Sequence, residues 1–227
     1  MDEDVLWEGP ARRGRGPRPA LSRGLIVGRA VEIADAEGFE ALSMQHLARR
    51  LGFGTMSLYR HIGGKDELVA LMLDAAIGLP LLAGPGPWRT LVRDWAHGIR
   101  QVFLRHPWTL PLVPVERVMG PNESAWAEAA LSAFAATGLP PPLRLEMVML
   151  VNSYVRGCVA FEIRPARAVS RDTLVRVGRL DEFPLLADAL AGSEVDGAAR
   201  DTGFDFGLER VLDGIEAFLT AEQSNNG

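Results

Sequence analysis

The chain has 227 residues, 48% of them apolar and 23% charged, close to the averages of soluble globular proteins and enough for one large domain or two small ones. A single cysteine, Cys158, excludes an intramolecular disulfide and a multi-thiolate metal site, and fits a reducing compartment. No apolar run reaches the roughly 18 residues of a membrane helix; the most apolar stretch, 69–83, is broken by Asp74, Gly78 and Pro80. The acidic and then arginine-rich start lacks the apolar centre of a signal peptide. The expected setting is therefore cytoplasmic, with no membrane partner. Net charge is −5, unevenly spread: residues 1–10 carry −4, residues 11–65 carry +6 and residues 66–227 carry −7. A positive block ahead of an acidic body points to one part that faces a polyanion and one that does not.

Helical periodicity runs through the chain without a clear strand pattern, so the expected fold class is all-α. Residues 1–20, with Arg12, Arg13, Arg15 and Arg18 among prolines and glycines, read as a flexible arm. Ser22 is placed to cap a helix to Glu37 that buries Ile26, Ala30, Ile33 and Ala34, with Gly38 as its stop. Ser43 caps a second helix ending at Gly52, with Leu47, Ala48 and Leu51 inward. Thr55–Ile62 forms a third, short helix. After Gly63-Gly64, Lys65–Ile77 forms a fourth, with Leu68, Leu71, Met72 and Ala75 inward. The Gly/Pro-rich stretch 78–87 is a composition break. Beyond it the pattern predicts helices at Trp88–Arg105, Asn122–Thr137, Pro141–Ile163 and Phe204–Glu222. It also predicts a Pro-disturbed helix at Trp108–Met119 and a partly helical connection at 164–201, with Glu182–Leu190 its best helical stretch.

Short helix, glycine turn, short helix is the signature of a helix-turn-helix, whose second helix enters the DNA major groove. Thr55, Met56 and Ser57 provide a small leading turn able to hydrogen-bond a base edge or meet a thymine methyl. Gln45, in the first turn of the preceding helix, has an amide long enough to reach a base. Tyr59, Arg60 and His61 carry groups suited to phosphates, as does Lys65, the only lysine in the chain. Tyr59 is equally readable as a packing residue. Arg49, Arg50 and His46 read as a solvated face, and the arginine arm as either a DNA contact or a leader without a role.

At these residues the sequence resembles the TetR family of transcriptional regulators. The likeness covers about Leu21–Ile77: Gly38-Phe39, Leu47-Ala48-Arg49-Arg50-Leu51-Gly52, Leu58-Tyr59-Arg60-His61 and Gly64-Lys65-Asp66-Glu67-Leu68. The last helix from Phe204 also resembles the end of the family's TetR-like C-terminal domain. The resemblance implies a homodimeric repressor of near-palindromic double-stranded DNA, released by a small-molecule effector. It implies an arm at 1–20, a DNA-binding domain at 21–65 and an effector-binding and dimerisation domain at 66–227, joined by the helix 65–77. It assigns Gln45, Thr55, Met56 and Ser57 to the groove, Tyr59, His61 and Lys65 to phosphates, and Arg60 to either. Gly54 departs from the family's usual polar cap.

The stretch 65–87 holds no histidine, so the metal-tetracycline site of the classical tetracycline repressors is not carried over, and no metal or cofactor is expected. Trp95, Phe103, Trp108, Trp126, Met149, Asn152 and Arg156 are candidate effector-pocket residues, each also readable as core or interhelix contact. By resemblance, Val155, Val159, Leu208, Val211, Leu212, Ile215, Phe218 and Leu219 form the intersubunit bundle.

No nucleophile elbow or dinucleotide fingerprint is present, so an enzyme is not expected. Two other function classes stay open. One is a DNA-packaging protein without sequence preference, disfavoured by the acidic body. The other is a helical small-molecule-binding or catalytic protein whose DNA-binding head is vestigial.

Overall fold

The computed structural model describes residues 4–7, 21–81, 84–113, 118–164, 170–191 and 199–225, and they contain helices and turns but no strand. The chain forms two compact units, Met1–Asn152 and Ser153–Gly227. The arginines of the arm lie outside the described residues. Within that arm Asp4–Trp7 (α1) forms one helical turn with Leu6 buried, where the composition predicts irregular chain.

The first unit is built on caps that are readable in the sequence. Ser22 accepts from the Leu25 N–H at 3.3 Å and opens Arg23–Glu37 (α2); Gly38 closes it at a positive φ of 87°. Ser43 accepts from the His46 N–H at 3.1 Å and opens Met44–Leu51 (α3), and Gly52 ends it in the left-handed region. Only residues without a Cβ adopt these closing angles at little cost. A short 3-10 turn, Phe39–Ala41, joins the two helices. The third helix, Thr55–Tyr59 (α4), is three residues shorter than the pattern predicts, ending where Arg60 begins the turn that leads to Ile62. Lys65–Ile77 (α5) has the expected bounds.

The apolar stripes of these four helices share one core. Ile26, Ala30, Ile33 and Ala34 of α2, Leu47 and Ala48 of α3, Leu58 of α4, and Leu68 and Met72 of α5 meet in it, together with Ile62 and Trp108. Leu51 and Leu71 lie at its margin. Ala75, expected inward, is exposed; Leu73, Asp74, Ala76 and Ile77 are buried instead, because the C-terminal half of α5 turns its other face to neighbouring helices.

Trp88–Arg105 (α6) and Pro121–Ala133 (α7) complete the first unit, followed by the N-terminal part of Pro141–Ile163 (α8). No continuous helix spans Trp108–Met119. A 3-10 turn at Pro107–Thr109 is followed by further turn to Val113, and Val118–Gly120 is irregular. The buried carboxylate of Asp74 accepts from the N–H groups of Asn122 at 2.9 Å and Glu123 at 3.1 Å, so a residue of α5 caps the start of α7. Trp126 donates to the Gly78 carbonyl at 2.9 Å, and Trp95 donates to the Trp126 carbonyl at 2.9 Å. A Cβ at Gly98 would stand 2.8 Å from the Trp126 ring, so that glycine sets how closely α6 approaches α7.

In the second unit, the C-terminal part of α8 meets Ala199–Asn225 (α11) through Tyr154. The Tyr154 hydroxyl donates to the Phe204 carbonyl at 2.7 Å, and the two rings lie 5.6 Å apart. Burial pushes the Tyr154 hydroxyl pKa up, and Cys158 beside it adds to the shift. Arg171–Arg176 (α9) and Pro184–Ala191 (α10) occupy the connection expected to be partly helical.

Six of the residues expected at a dimer interface, Val155, Val159, Leu208, Leu212, Ile215 and Leu219, are buried within the single chain. Val211 and Phe218 are half-buried. The six buried side chains form the chain's own interior, while Val211 and Phe218 keep part of their surface open. The exposed faces of the same helices carry Ser153, Gly157, Ala160 and Phe161 on α8, and Phe206, Gly214, Ala217 and Ala221 on α11.

A Cβ built on Gly120 would collide with the Asp74 carboxylate. Gly120→Ala is therefore expected to break the cross-helix cap and cost about 1–3 kcal/mol. This should appear as a lower urea midpoint with an unchanged slope.

Candidate nucleic-acid interface

The turn and α4 gather the residues predicted to face DNA. Leu58 is fully buried beneath α4, and its neighbours in sequence are thereby turned outward. Met56 is 73% exposed and Tyr59 45% exposed, while Thr55 and Ser57 are half-buried beside them. Gln45 and Arg60 are exposed, His61 is half-buried, and Lys65 stands exposed at the first position of α5. All eight lie in the segment from α3 to the start of α5, on a core that fixes the helices carrying them. Tyr59 is thus mostly a surface side chain.

Gly54 stands at the cap of α4 with no side-chain hydrogen bond, as its sequence predicts. The start of α5 is held differently: the Glu67 carboxylate reaches back to accept from the Gly63 N–H at 3.1 Å. The bond goes to the N–H one residue before the Gly64 cap, so Glu67 ties the incoming turn to the first turn of α5. A Cβ at Gly63 would come within 2.7 Å of that carboxylate oxygen, so glycine there leaves room for the reach.

Residues outside the expected set complete the picture. Arg23, at the first position of α2, points its Nε at the His61 carbonyl oxygen at 3.5 Å and brings another cation beside the α4–α5 turn. Its signal was its position directly after the Ser22 cap, in the positive block. Phe53, in the α3–α4 turn, is exposed. Arg50 pairs with Glu37 at 3.0 Å, and Arg49 donates to His46 Nδ1 at 2.9 Å. His46 in turn sets its Nε2 3.2 Å from Glu37, so this trio is an α2–α3 brace rather than a freely solvated face.

The effector-pocket candidates divide. Trp95, Phe103 and Trp126 are buried core, and both indole N–H groups have backbone acceptors. Trp108 belongs to the core shared by α2 to α5 and donates to Asp35 at 2.7 Å. Met149 is 49% exposed. Asn152 and Arg156 are half-buried, and the Arg156 Nε is fully buried with no hydrogen-bond partner among the described residues. No group of three or more His, Cys, Asp or Glu among the described residues is placed to hold a metal ion, and no helix there is long and apolar enough to cross a membrane.

Residues 26–72 match the family model described as bacterial regulatory proteins, tetR family, and residues 79–219 match tetracyclin repressor-like, C-terminal domain. The chain belongs to the TetR family of transcriptional regulators. It is 33% identical to the HTH-type transcriptional repressor DrrR1 of Streptomyces coeruleorubidus, over 98% of this chain and 87% of that one. Among solved TetR-family structures, apo ActR of Streptomyces coelicolor superposes with a TM-score of 0.75 at 28% identity, covering 91% of this chain and all of that one. ActR in complex with (S)-DNPA gives 0.70 at 30% identity, covering 88% and 99%. This TetR-family chain is a DNA-binding, ligand-responsive regulator.

Lys65→Ala is expected to weaken binding to duplex DNA of every sequence and to reduce the slope of log affinity against log salt by about 1. Titrations across a salt series check both, and an unchanged slope would remove Lys65 from the phosphate contacts.

Proposed function

We propose that this regulator represses transcription as a homodimer that grips a near-palindromic operator and releases it when a small organic effector binds. The observation that carries the reading is the outward set on α3, α4 and the start of α5. An exposed Met56 lies between half-buried Thr55 and Ser57, and Gln45, Tyr59, Arg60 and Lys65 are exposed and His61 half-buried in the same α3–α5 segment. Thr55–Ser57 and Gln45 read base edges in the major groove; Tyr59, His61 and Lys65 take phosphates, and Arg60 takes either. Residues 21–65 act as the DNA-binding part and 66–227 as the effector-binding and dimerisation part, with α5 leading from one to the other.

Two recognition helices in one dimer require half-site centres one DNA turn, roughly 34–36 Å, or a multiple of it apart. The second copy packs on the exposed faces of α8 and α11, where small residues allow close approach of helices. Gly157 and Gly214 meet nothing within 4 Å of an added Cβ, so both look out from the single chain. The effector meets the half-buried Asn152–Arg156 turn of α8, where the Arg156 Nε, buried and without a partner among the described residues, favours an acceptor oxygen on the ligand. Induction then requires the effector to prefer the non-binding state by a few kcal/mol.

Selection from random duplex DNA at about 150 mM salt should yield a near-palindromic motif, since little is retained there by phosphate attraction alone. No enrichment by folded protein would overturn the reading. Thr55→Ala and Met56→Ala should change the preferred bases, and an identical motif would end their base-reading role. Gly214→Leu, at an exposed position where an added Cβ meets nothing within 4 Å among the described residues, is expected to shift the protein from dimer to monomer in sedimentation while its helical signal stays intact. A dimer of unchanged stability would move the interface elsewhere.

A further inference from the structure

The phosphate ligand Lys65 does not stand alone. Its ammonium lies over the ring of Phe39, 6.0 Å from the centroid. Phe39 sits in the 3-10 turn between α2 and α3 and is stacked on Trp108, with centroids 6.0 Å apart and planes within 9°. Trp108 belongs to the turn that follows α6, and its indole N–H donates to Asp35 Oδ1 at 2.7 Å. The same oxygen lies 2.8 Å from His106 Nδ1, so one carboxylate of α2 takes two donors from that turn. The turn is itself closed by Thr109, whose hydroxyl and N–H both donate to the His106 carbonyl, at 2.7 and 2.9 Å.

We infer that Phe39, Trp108 and Asp35 form a strut that positions Lys65 for phosphate, resting on the reading of Lys65 as a DNA contact. A lysine ammonium on a four-carbon stem samples many rotamers, and ordering it opposes binding. An aromatic face beneath the ammonium narrows that range and attracts the charge through the ring's negative face. The ring can serve only if it is itself fixed. Trp108 fixes it by stacking, and Asp35 fixes Trp108 through the indole N–H. The path joins residues far apart in sequence, since Asp35 and Trp108 are 73 positions apart. It runs from the end of α6 to the head without passing along α5, so any shift of the α6 end is felt at Lys65. Phe39, Trp108 and Asp35 are positioning residues and touch no DNA.

The test is a double-mutant cycle on full-length protein, with the duplex recovered by selection as the probe. Phe39→Leu should weaken binding roughly two- to fivefold when Lys65 is present. In a Lys65→Ala background the same change should cost nothing further. Phe39→Tyr, which keeps the aromatic face, should bind as the unaltered protein does. Asp35→Asn, which weakens the anchor, should give a partial loss that also vanishes without Lys65. Equal losses from Phe39→Leu in both backgrounds would show a general packing role and overturn the strut, as would no loss in either. If the unaltered protein binds no selected duplex, the DNA-binding reading falls and takes the strut with it. If it binds and the cycle is additive, the strut alone falls.

Discussion

A helix of five residues cannot hold itself together in water, because too few hydrogen bonds repay the ordering of its first turn. The recognition helix α4 is that short and has no side-chain cap at Gly54. It exists because Leu58, and Ile62 just beyond it, are buried in the core shared with α2, α3 and α5. Every other feature of the head follows from that dependence. Leu58 inward turns Met56, Tyr59 and Arg60 outward, so the same side chain that folds the helix also aims it. Truncating it would remove the helix and the reading surface together, whereas changes at Met56 leave the core alone.

Charge separates the two tasks of the chain. Residues 11–65 are positive and the remainder is acidic, so the bulk of the protein repels DNA while the head attracts it. A protein with this balance binds DNA non-specifically less well than a uniformly basic one, and depends more on contacts its head makes in one geometry. That raises the importance of small positioning devices. Glu67 on the Gly63 N–H, Arg23 beside His61 and Phe39 beneath Lys65 are each modest interactions, but each restricts a group at the α4–α5 edge of the head. Restriction before binding lowers the entropy lost on binding.

The head was largely legible because its signals are local. Ser22 and Ser43 as caps, Gly38 and Gly52 as stops, and the stripe of Ile26, Ala30, Ile33 and Ala34 need no tertiary information, and the structure has them all. The end of α4 at Tyr59, the exposure of Ala75 and the turn in place of a helix after Trp108 depend on which neighbour covers which face, and periodicity is silent on that. The same blindness bears on the residues expected at the dimer interface. On α11 the strongest apolar stripe, Leu208, Leu212, Ile215 and Leu219, is consumed inside the chain. Residues left outside, such as Gly214, Ala217 and Ala221, carry almost no hydrophobic signal. Hydrophobicity marks burial, and does not say whether the partner is the same chain or another copy.

The aromatic residues of the first unit bear on how a ligand can act. Trp95, Trp108 and Trp126 look like pocket walls in the sequence, yet each spends its indole N–H on a carbonyl or carboxylate of its own chain. A ligand that displaced them would have to replace those bonds, and a buried donor left unpaired costs about 1–3 kcal/mol. The Arg156 Nε presents the opposite balance: it is already buried and already unpaired among the described residues, so an acceptor brought to it relieves a cost instead of adding one. Shifting a two-state regulator from 1:99 to 99:1 takes about 5.5 kcal/mol of differential affinity. A hydrogen bond to a charged group supplies about 1.5–3 kcal/mol of that if it forms in only one state. The remainder must come from apolar contact. The proposed effector is therefore mostly apolar, with an acceptor oxygen spaced to reach α8.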